Sequence, residues 1–396
     1  MPPKLLTAEE AAKTLRVSRA TLYAYVSRGL VRAEPADDPR ERRYSAAAIE
    51  KLAGDRKRGR KPKEIAKATL NFGVPVLESG ITAIEGGRLY YRGRDAVALA
   101  ETASLEEVAA LLWRAPQAVA FPERAPDFAA GFAPAMTGGA DRLLTRFASA
   151  TEEESTTAWL APELLFEGSG ALMRIMPALI AGTKRPAAAP IHHELARAFG
   201  LDRDGADLLR MALALSADHE LNASSFAARV VASTGASLRA SVVAGLAALT
   251  GPRHGGLTWR VETLFDAIGD GAPEPVMRQR LAAGDDLPGF GHPLYPDGDP
   301  RALALLARVS STLPQAGRIV EAAGRLTGRL PSLDVALVSV RRSLALPLGH
   351  AFCLFALGRT AGWIAHGLEQ RASGLIRPRA VYVGPAPETF ASADGK

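Results

Sequence analysis

Apolar positions near the N-terminus follow a helical period. The spacing predicts a short helix over Ala8–Leu15 that buries Ala11, Ala12 and Leu15. Thr7-Ala8-Glu9-Glu10 is a capping-box pattern, with Thr7 as N-cap and Glu10 reaching back. Val17 fits a turn, and Ser18 is a second N-cap that opens a helix over residues 19–26, whose Leu22 and Val26 face the first. Gly29 suits the left-handed position past that helix. Between Val31 and Tyr44 the pattern changes to a two-stranded wing carrying Arg40, Arg42 and Arg43, and Ser45 caps a third helix over 46–52.

Further along, Gly86-Gly87 marks a turn between short extended pieces, and Arg92-Gly93-Arg94-Asp95 reads as a loop. Helices are expected over the Ala/Gly-rich stretch 237–249 and from Val335 onward, just after Asp334. Residues 125–190 hold Ala/Pro-rich connections and are assigned only as helices and loops. Apolar residues make up 47 % of the 396 and aromatics 6 %, so the core is aliphatic. Ala, Leu and Arg dominate while runs of Val, Ile and Thr are scarce, which points to a mainly α fold of two or more domains. The single cysteine, Cys353, lies in an apolar stretch and reads as a buried, inert thiol; no Cys/His spacing resembles a metal site. Residues 1–20 do not read as a signal peptide, and no long uncharged apolar run is evident, so a soluble cytoplasmic protein without membrane contact is expected.

Charge is unevenly shared. Residues 1–66 hold 16 Lys+Arg against 9 Asp+Glu, whereas the other 330 hold 32 against 33. A polyanionic partner is therefore sought at the N-terminus. Two short helices, a tight turn and a basic wing resemble the MerR/excisionase type of DNA-binding domain, whose second helix enters the major groove. The resemblance makes Arg19, Thr21 and Tyr23 candidates for DNA contact, with Arg40, Arg42 and Arg43 on phosphates. The run Arg56-Lys57-Arg58-Gly59-Arg60-Lys61-Pro62-Lys63 follows as a basic linker. A protein-interaction module is the alternative use of the same unit.

Three loops carry the remaining chemistry: Gly-Pro-Arg-His254-Gly-Gly, Gly-Phe-Gly-His292 running on to Asp299-Pro300-Arg301, and Pro-Ser-Leu-Asp334. Each sets a titratable side chain beside Gly or Pro, which fix backbone direction. Two imidazoles and a carboxylate can donate to an oxygen, polarise a carbonyl and remove a proton. Together with Gly80–Gly93, Leu111-Leu112-Trp113, Asp218–Ser225, Phe355–His366 and Ile376–Gly384, these segments resemble the citrate synthase family.

That resemblance implies an all-α, two-domain enzyme that condenses oxaloacetate with acetyl-CoA, or with propionyl-CoA to give 2-methylcitrate. Asp334 is then the base for the acyl carbon, His254 the donor to the thioester oxygen, and His292 the group that polarises the ketone. His219, Arg301, Arg359 and Arg377 hold oxaloacetate, Arg377 in the other subunit of a homodimer. His366 is expected to be structural. No cofactor or metal is implied, since the CoA thioester is a substrate. The implied domains are a winged helix-turn-helix at 1–54, a linker at 55–66, a large domain at 67–254 and 346–396, and a small domain at 255–345.

Two segments depart from the family pattern on the CoA side: Leu257-Thr258-Trp259-Arg260, and Pro293-Leu294-Tyr295-Pro296 where basic residues are usual. A second reading follows, a transcription regulator that uses the citrate synthase-like domain to sense a carboxylate.

Overall fold

The computed structural model describes residues 5–15, 17, 19, 22, 26, 33–35, 42–46, 48–50, 77–126, 140–150, 160–183, 185–380 and 382–385. The chain divides into two units, Met1–Glu78 with Arg379–Lys396, and Ser79–Pro378.

In the first unit the capping box forms. The Thr7 backbone N–H donates to Glu10 Oε2 at 2.8 Å, and the Glu10 N–H donates to Thr7 Oγ1 at 3.2 Å. Helix Ala8–Leu15 buries Ala11, Ala12 and Leu15, which pack with Leu22, Tyr44 and Ile49. The sheet is one strand larger than the wing implied. Arg42–Ser45 pairs antiparallel with Ala33–Pro35 on one side and with Leu5–Leu6 on the other. A two-residue strand is too short to show an alternating pattern, so nothing in the sequence announces it. Arg19 and Arg42 are exposed and Arg43 is half-buried. Thr21, Tyr23 and Arg40 lie outside the described residues, as do Ser18, Gly29 and the 55–66 linker.

The second unit opens with a small antiparallel sheet, Thr82–Glu85, Arg88–Tyr91 and Arg94–Asp95. Gly86 and Gly87 make the first turn with φ of 57° and 74°, the doubly left-handed geometry that suits tight hairpins. The second turn repeats it at Arg92 and Gly93, φ 50° and 81°, so Arg94–Asp95 is a strand and not the loop expected. Arginine is an unusual residue at that φ. It is held there because its guanidinium donates to the carbonyls of Leu112 and Gly80.

The rest is helical. Ser104 caps helix Leu105–Trp113 through a capping box with Glu107, and Trp113 Nε1 donates to the Ala361 carbonyl at 2.9 Å. That carbonyl belongs to His350–Gln370, a helix buried along nearly its whole length. Around it lie Arg203–Leu215, Ala223–Ser233, Leu238–Leu249 and Pro162–Ala181. Pro162–Ala181 is long and apolar enough to cross a membrane by composition, yet 72 % of its apolar window is buried in protein. Within it, Arg174 donates to the carbonyls of Pro122, Arg124 and Ala188, which fixes it as a core helix. A second group of helices comprises Leu257–Ile268, Pro273–Ala282, Pro300–Val309, Pro314–Thr327 and Leu333–Ser343. Glu262 joins two of them, receiving Arg341 at 2.7 Å and Arg342 at 2.8 Å.

Glycines on the central helix let neighbouring backbone come close. The Gly362 N–H donates to the Ala217 carbonyl at 2.9 Å, and a Cβ on Gly362 would stand 2.5 Å from that oxygen and 2.3 Å from Asp218 Oδ1. Gly362→Ala is therefore predicted to destabilise the protein. Overpacking costs about 1–3 kcal/mol or more, against about 1 kcal/mol gained in helix propensity. A lower denaturant midpoint than the wild type checks it.

Candidate active site

Helix Arg203–Leu215 ends at Ser216, and the chain turns through Asp218 and His219 before Asn222 caps Ala223–Ser233. Glu220 in that turn has φ of 53°, a strained value for a non-glycine residue. Asn222 holds the turn from both sides: its Oδ1 accepts the N–H groups of Ser224 and Ser225, and its Nδ2 donates to the His219 carbonyl. Asp218 is sealed beneath, accepting from Thr82 Oγ1 at 2.7 Å, with His366 Nε2 3.3 Å from its other oxygen. The Tyr91 hydroxyl lies 3.2–3.3 Å from the carbonyls of Ala214, Leu215 and Asp218. His366 is thus a structural partner of Asp218, buried in the same contact.

The His292 loop and the Asp334 loop are joined backbone to backbone. Phe290 and Pro331 form an antiparallel bridge; the Gly291 N–H donates to the Leu330 carbonyl, and the Ser332 N–H donates to the Gly289 carbonyl, both at 2.8 Å. Only glycine fits at 289, where φ is 84° and a Cβ would sit 2.6 Å from Val335 Cγ2. Asp299 then ties the seam to the guanidinium of Arg301. Its Oδ1 accepts Arg301 Nε at 2.9 Å, and its Oδ2 accepts Arg301 Nη2 at 2.7 Å. The same Oδ2 accepts the Leu333 N–H at 3.2 Å, one residue before Asp334.

Asp334 sits in the first turn of Leu333–Ser343. Its Oδ2 accepts from Ser332 Oγ at 3.1 Å, and its Oδ1 is sealed without a partner. Burial pushes its pKa up to about 6, outweighing the Ser332 hydrogen bond and the positive charge of Arg301. Arg301 is 3 % exposed. Burial alone would pull its pKa down, but the Asp299 carboxylate overrides that and holds it above the usual guanidinium value.

His219, His292 and Tyr295 form a cluster beside this pair. The imidazoles meet edge to face at 5.2 Å between centroids, the Tyr295 ring is 5.1 Å from His292, and Arg301 stands 5.6 Å over Tyr295. His254 and Arg359 meet across Phe355. The His254 ring is edge-on to Phe355 at 6.1 Å, and the Arg359 guanidinium lies 4.9 Å over the same ring. Arg359 is 1 % exposed and donates from Nε to the Ser216 carbonyl at 2.9 Å. Its terminal nitrogens have no acceptor among the described residues. Burial brings its pKa down to about 10, with Asp218 opposing and Arg301 adding to the fall, so it stays cationic at neutral pH.

All three imidazoles are kept neutral. Burial, then Arg359, brings His254 to about 4. Burial followed by Arg301 and Arg359 puts His219 well below its ordinary value, and burial with Arg301 lowers His292. Neutral imidazoles, two guanidiniums and a carboxylate of raised pKa can bind a dianion, donate to oxygens and abstract a weakly acidic proton.

Six of the seven residues expected from sequence therefore fall in this region: His219, His254, His292, Arg301, Asp334 and Arg359. Arg377 does not join them; it is exposed on the segment after the central helix, where the preceding Ile376 N–H donates to Ser233 Oγ at 3.1 Å. Sequence reasoning missed Ser224, which meets His254 Nε2 at 2.8 Å, and the linking role of Asp299. It also missed Tyr295. Only the nearness of Asp299 to Arg301 gave a signal.

Comparison with known proteins bears on this geometry. A family described as citrate synthase, C-terminal domain, matches residues 69–379. The chain belongs to the citrate synthase family. A helix-turn-helix domain family matches residues 5–57, so the citrate synthase-type chain carries a helix-turn-helix at its N-terminus. Citrate synthase 2 of Bacillus subtilis (strain 168) is 30 % identical over 357 residues, covering 80 % of this chain and 96 % of that protein. A relative from Mycobacterium tuberculosis is 38 % identical over 193 residues, and there the match spans about half of that relative, 52 % of its length. Among solved structures, citrate synthase from Thermotoga maritima MSB8 is similar with a TM-score of 0.67 and 28 % identity, covering 80 % of this chain and 96 % of that one. The Thermoplasma acidophilum enzyme, solved with carboxymethyl coenzyme A and oxaloacetate, has a TM-score of 0.66 at 28 % identity, covering 81 % and 97 %. These neighbours share the mainly α fold.

Asp299→Asn is predicted to remove the partner charge of Arg301 in a sealed position. Breaking such a pair costs about 3–5 kcal/mol because a buried cation is left behind. Urea unfolding of the variant against the wild type checks this.

Proposed function

We propose that this member of the citrate synthase family condenses oxaloacetate with an acyl-CoA, acetyl-CoA by default and propionyl-CoA as the variant that one methylene separates. What supports the reading most is the seam between the His292 and Asp334 loops, with Asp299 holding Arg301 against it. A base, a ketone-polarising imidazole and a carboxylate clamp share one backbone frame.

In this mechanism Asp334 takes a proton from the acyl carbon next to the thioester. The electron pair moves toward the thioester oxygen, and His254 donates to that oxygen. Ser224 sets His254 up for this. Its hydroxyl donates to Asn222 Oδ1 at 2.7 Å, and its oxygen is 2.8 Å from His254 Nε2. This contact holds the His254 ring in place in the site. A donor such as His254 counts most in a dry site, where the developing charge is poorly screened. The enol carbon then attacks the oxaloacetate ketone polarised by His292, while His219, Arg301 and Arg359 hold the carboxylates. Hydrolysis of the new thioester releases citrate and CoA.

Arg377 reaches the active site of a second subunit in this reading, so the working form is a homodimer with shared sites. The small domain, 255–345, closes on the large one, 67–254 with 346–396, to exclude water. No resident cofactor takes part, and the enzyme works in the cytoplasm, in keeping with its one buried thiol, Cys353.

A second reading rests on the helix-turn-helix match at 5–57 and the altered segments at 257–260 and 293–296. There the protein is a DNA-binding regulator that senses a dicarboxylate, with Arg19, Thr21, Tyr23, Arg40, Arg42 and Arg43 facing DNA. Thiol release from acetyl-CoA in the presence of oxaloacetate separates the two. Absence of turnover together with dicarboxylate-dependent gel retention of DNA favours the regulator.

Asp334→Asn is predicted to lower turnover by about 10²–10⁴-fold, the contribution of a positioned base, and to leave oxaloacetate binding largely intact by calorimetry. The wild-type pH profile is predicted to have its acid limb near 6. The Asp334 carboxyl, raised to about 6, is protonated below that pH and accepts no proton, so kcat/KM falls as pH falls. The limb disappears from the residual activity of the asparagine variant.

A further inference from the structure

Tyr295 is the largest polar side chain in the site to which the mechanism gives no role. It is 3 % exposed, and its hydroxyl lies 2.9 Å from His219 Nε2. The other ring nitrogen of His219, Nδ1, makes no hydrogen bond among the described residues and is not sealed from solvent. Nδ1 is therefore the nitrogen left to meet a ligand. A neutral imidazole has one N–H, and which nitrogen carries it is set by the hydrogen bond at the other. Burial raises the Tyr295 pKa above its ordinary value, so the phenol keeps its proton. Burial, and after it the nearby cations Arg301 and Arg359, keep His219 neutral and able to accept.

We propose that Tyr295 is a positioning residue for oxaloacetate: its hydroxyl donates to His219 Nε2 and so holds the His219 proton on Nδ1, where it faces a substrate carboxylate. This rests on the reading that His219 binds oxaloacetate. Without the hydroxyl, the proton is free to move to Nε2, and Nδ1 then presents a lone pair to an anion. The Tyr295 ring itself packs against both His219 and His292 beneath Arg301, and phenylalanine keeps that packing. Tyr295→Phe thus removes the hydroxyl alone.

The test combines nitrogen NMR on ¹⁵N-histidine-labelled, ligand-free protein with steady-state kinetics. His219→Gln assigns its resonances among the 7 histidines. In the wild type, His219 is expected to show a protonated Nδ1 and a bare, hydrogen-bond-accepting Nε2. Tyr295→Phe is expected to shift that pattern toward protonated Nε2. It also raises the KM for oxaloacetate by roughly tenfold, the effect of one lost buried hydrogen bond, and leaves the KM for acetyl-CoA unchanged. A protonated Nε2 in the wild type overturns the proposal. So does a tautomer or an oxaloacetate KM that Tyr295→Phe leaves unmoved. The tautomer is read without substrate, so it is separate from the citrate synthase reading, which fails instead if the wild type neither releases thiol nor binds oxaloacetate.

Discussion

The Asp299 carboxylate is the contact on which the geometry of the site depends. One side of it grips Arg301 in a two-point fork, and the same oxygen that completes the fork receives the N–H of Leu333. A rigid planar cation and the first turn of the Asp334 helix are thereby held by a single group. Burying that group is costly, and burial by itself would raise its pKa. Arg301 reverses this and holds Asp299 below the ordinary carboxylate range. Charge pairing at Asp299 and charge isolation at Asp334 lie a few residues apart in space, and they push two aspartates in opposite directions. One becomes a permanent anion that builds the site. The other is left with a raised pKa, the property the proposed base requires.

The field around this pair explains the histidines. Burial first, and then a neighbouring guanidinium, Arg359 at His254, Arg301 at His292 and both at His219, keep the imidazoles uncharged, so each offers one N–H and one lone pair. A neutral donor gains strength as negative charge grows on the oxygen it faces, which suits enol formation and carbonyl attack better than a fixed charge that binds the ground state equally well. Two of the imidazoles also meet a hydroxyl: Ser224 beside His254, and Tyr295 beside His219. The central helix His350–Gln370 carries this arrangement into the core, because Arg359 projects from it toward the Ser216 turn and Gly362 lets that turn approach.

Much of this was legible from residues that leave the backbone little choice. Thr7 and Glu10 announced the first helix, and Gly86-Gly87 announced the hairpin. Gly-Phe-Gly-His292 and Pro-Ser-Leu-Asp334 marked loops with chemistry on them. The sequence pattern did not reveal contacts made across long separations. Nothing local says that Leu5–Leu6 pairs with residues 44–45, or that Arg92 takes a glycine-like turn because carbonyls 12 and 20 residues away anchor it. Tyr295 was overlooked for the same reason. In sequence it lies between two prolines, and its significance comes from His219, 76 positions earlier.

A crystal structure with oxaloacetate and carboxymethyl coenzyme A bound tests the central claim most directly. The account predicts oxaloacetate held by His219, His292, Arg301 and Arg359, with the Asp334 carboxylate turned toward the carboxymethyl group that stands in for the acyl carbon. Ligand density elsewhere, or Asp334 turned to bulk water in the closed complex, would contradict it.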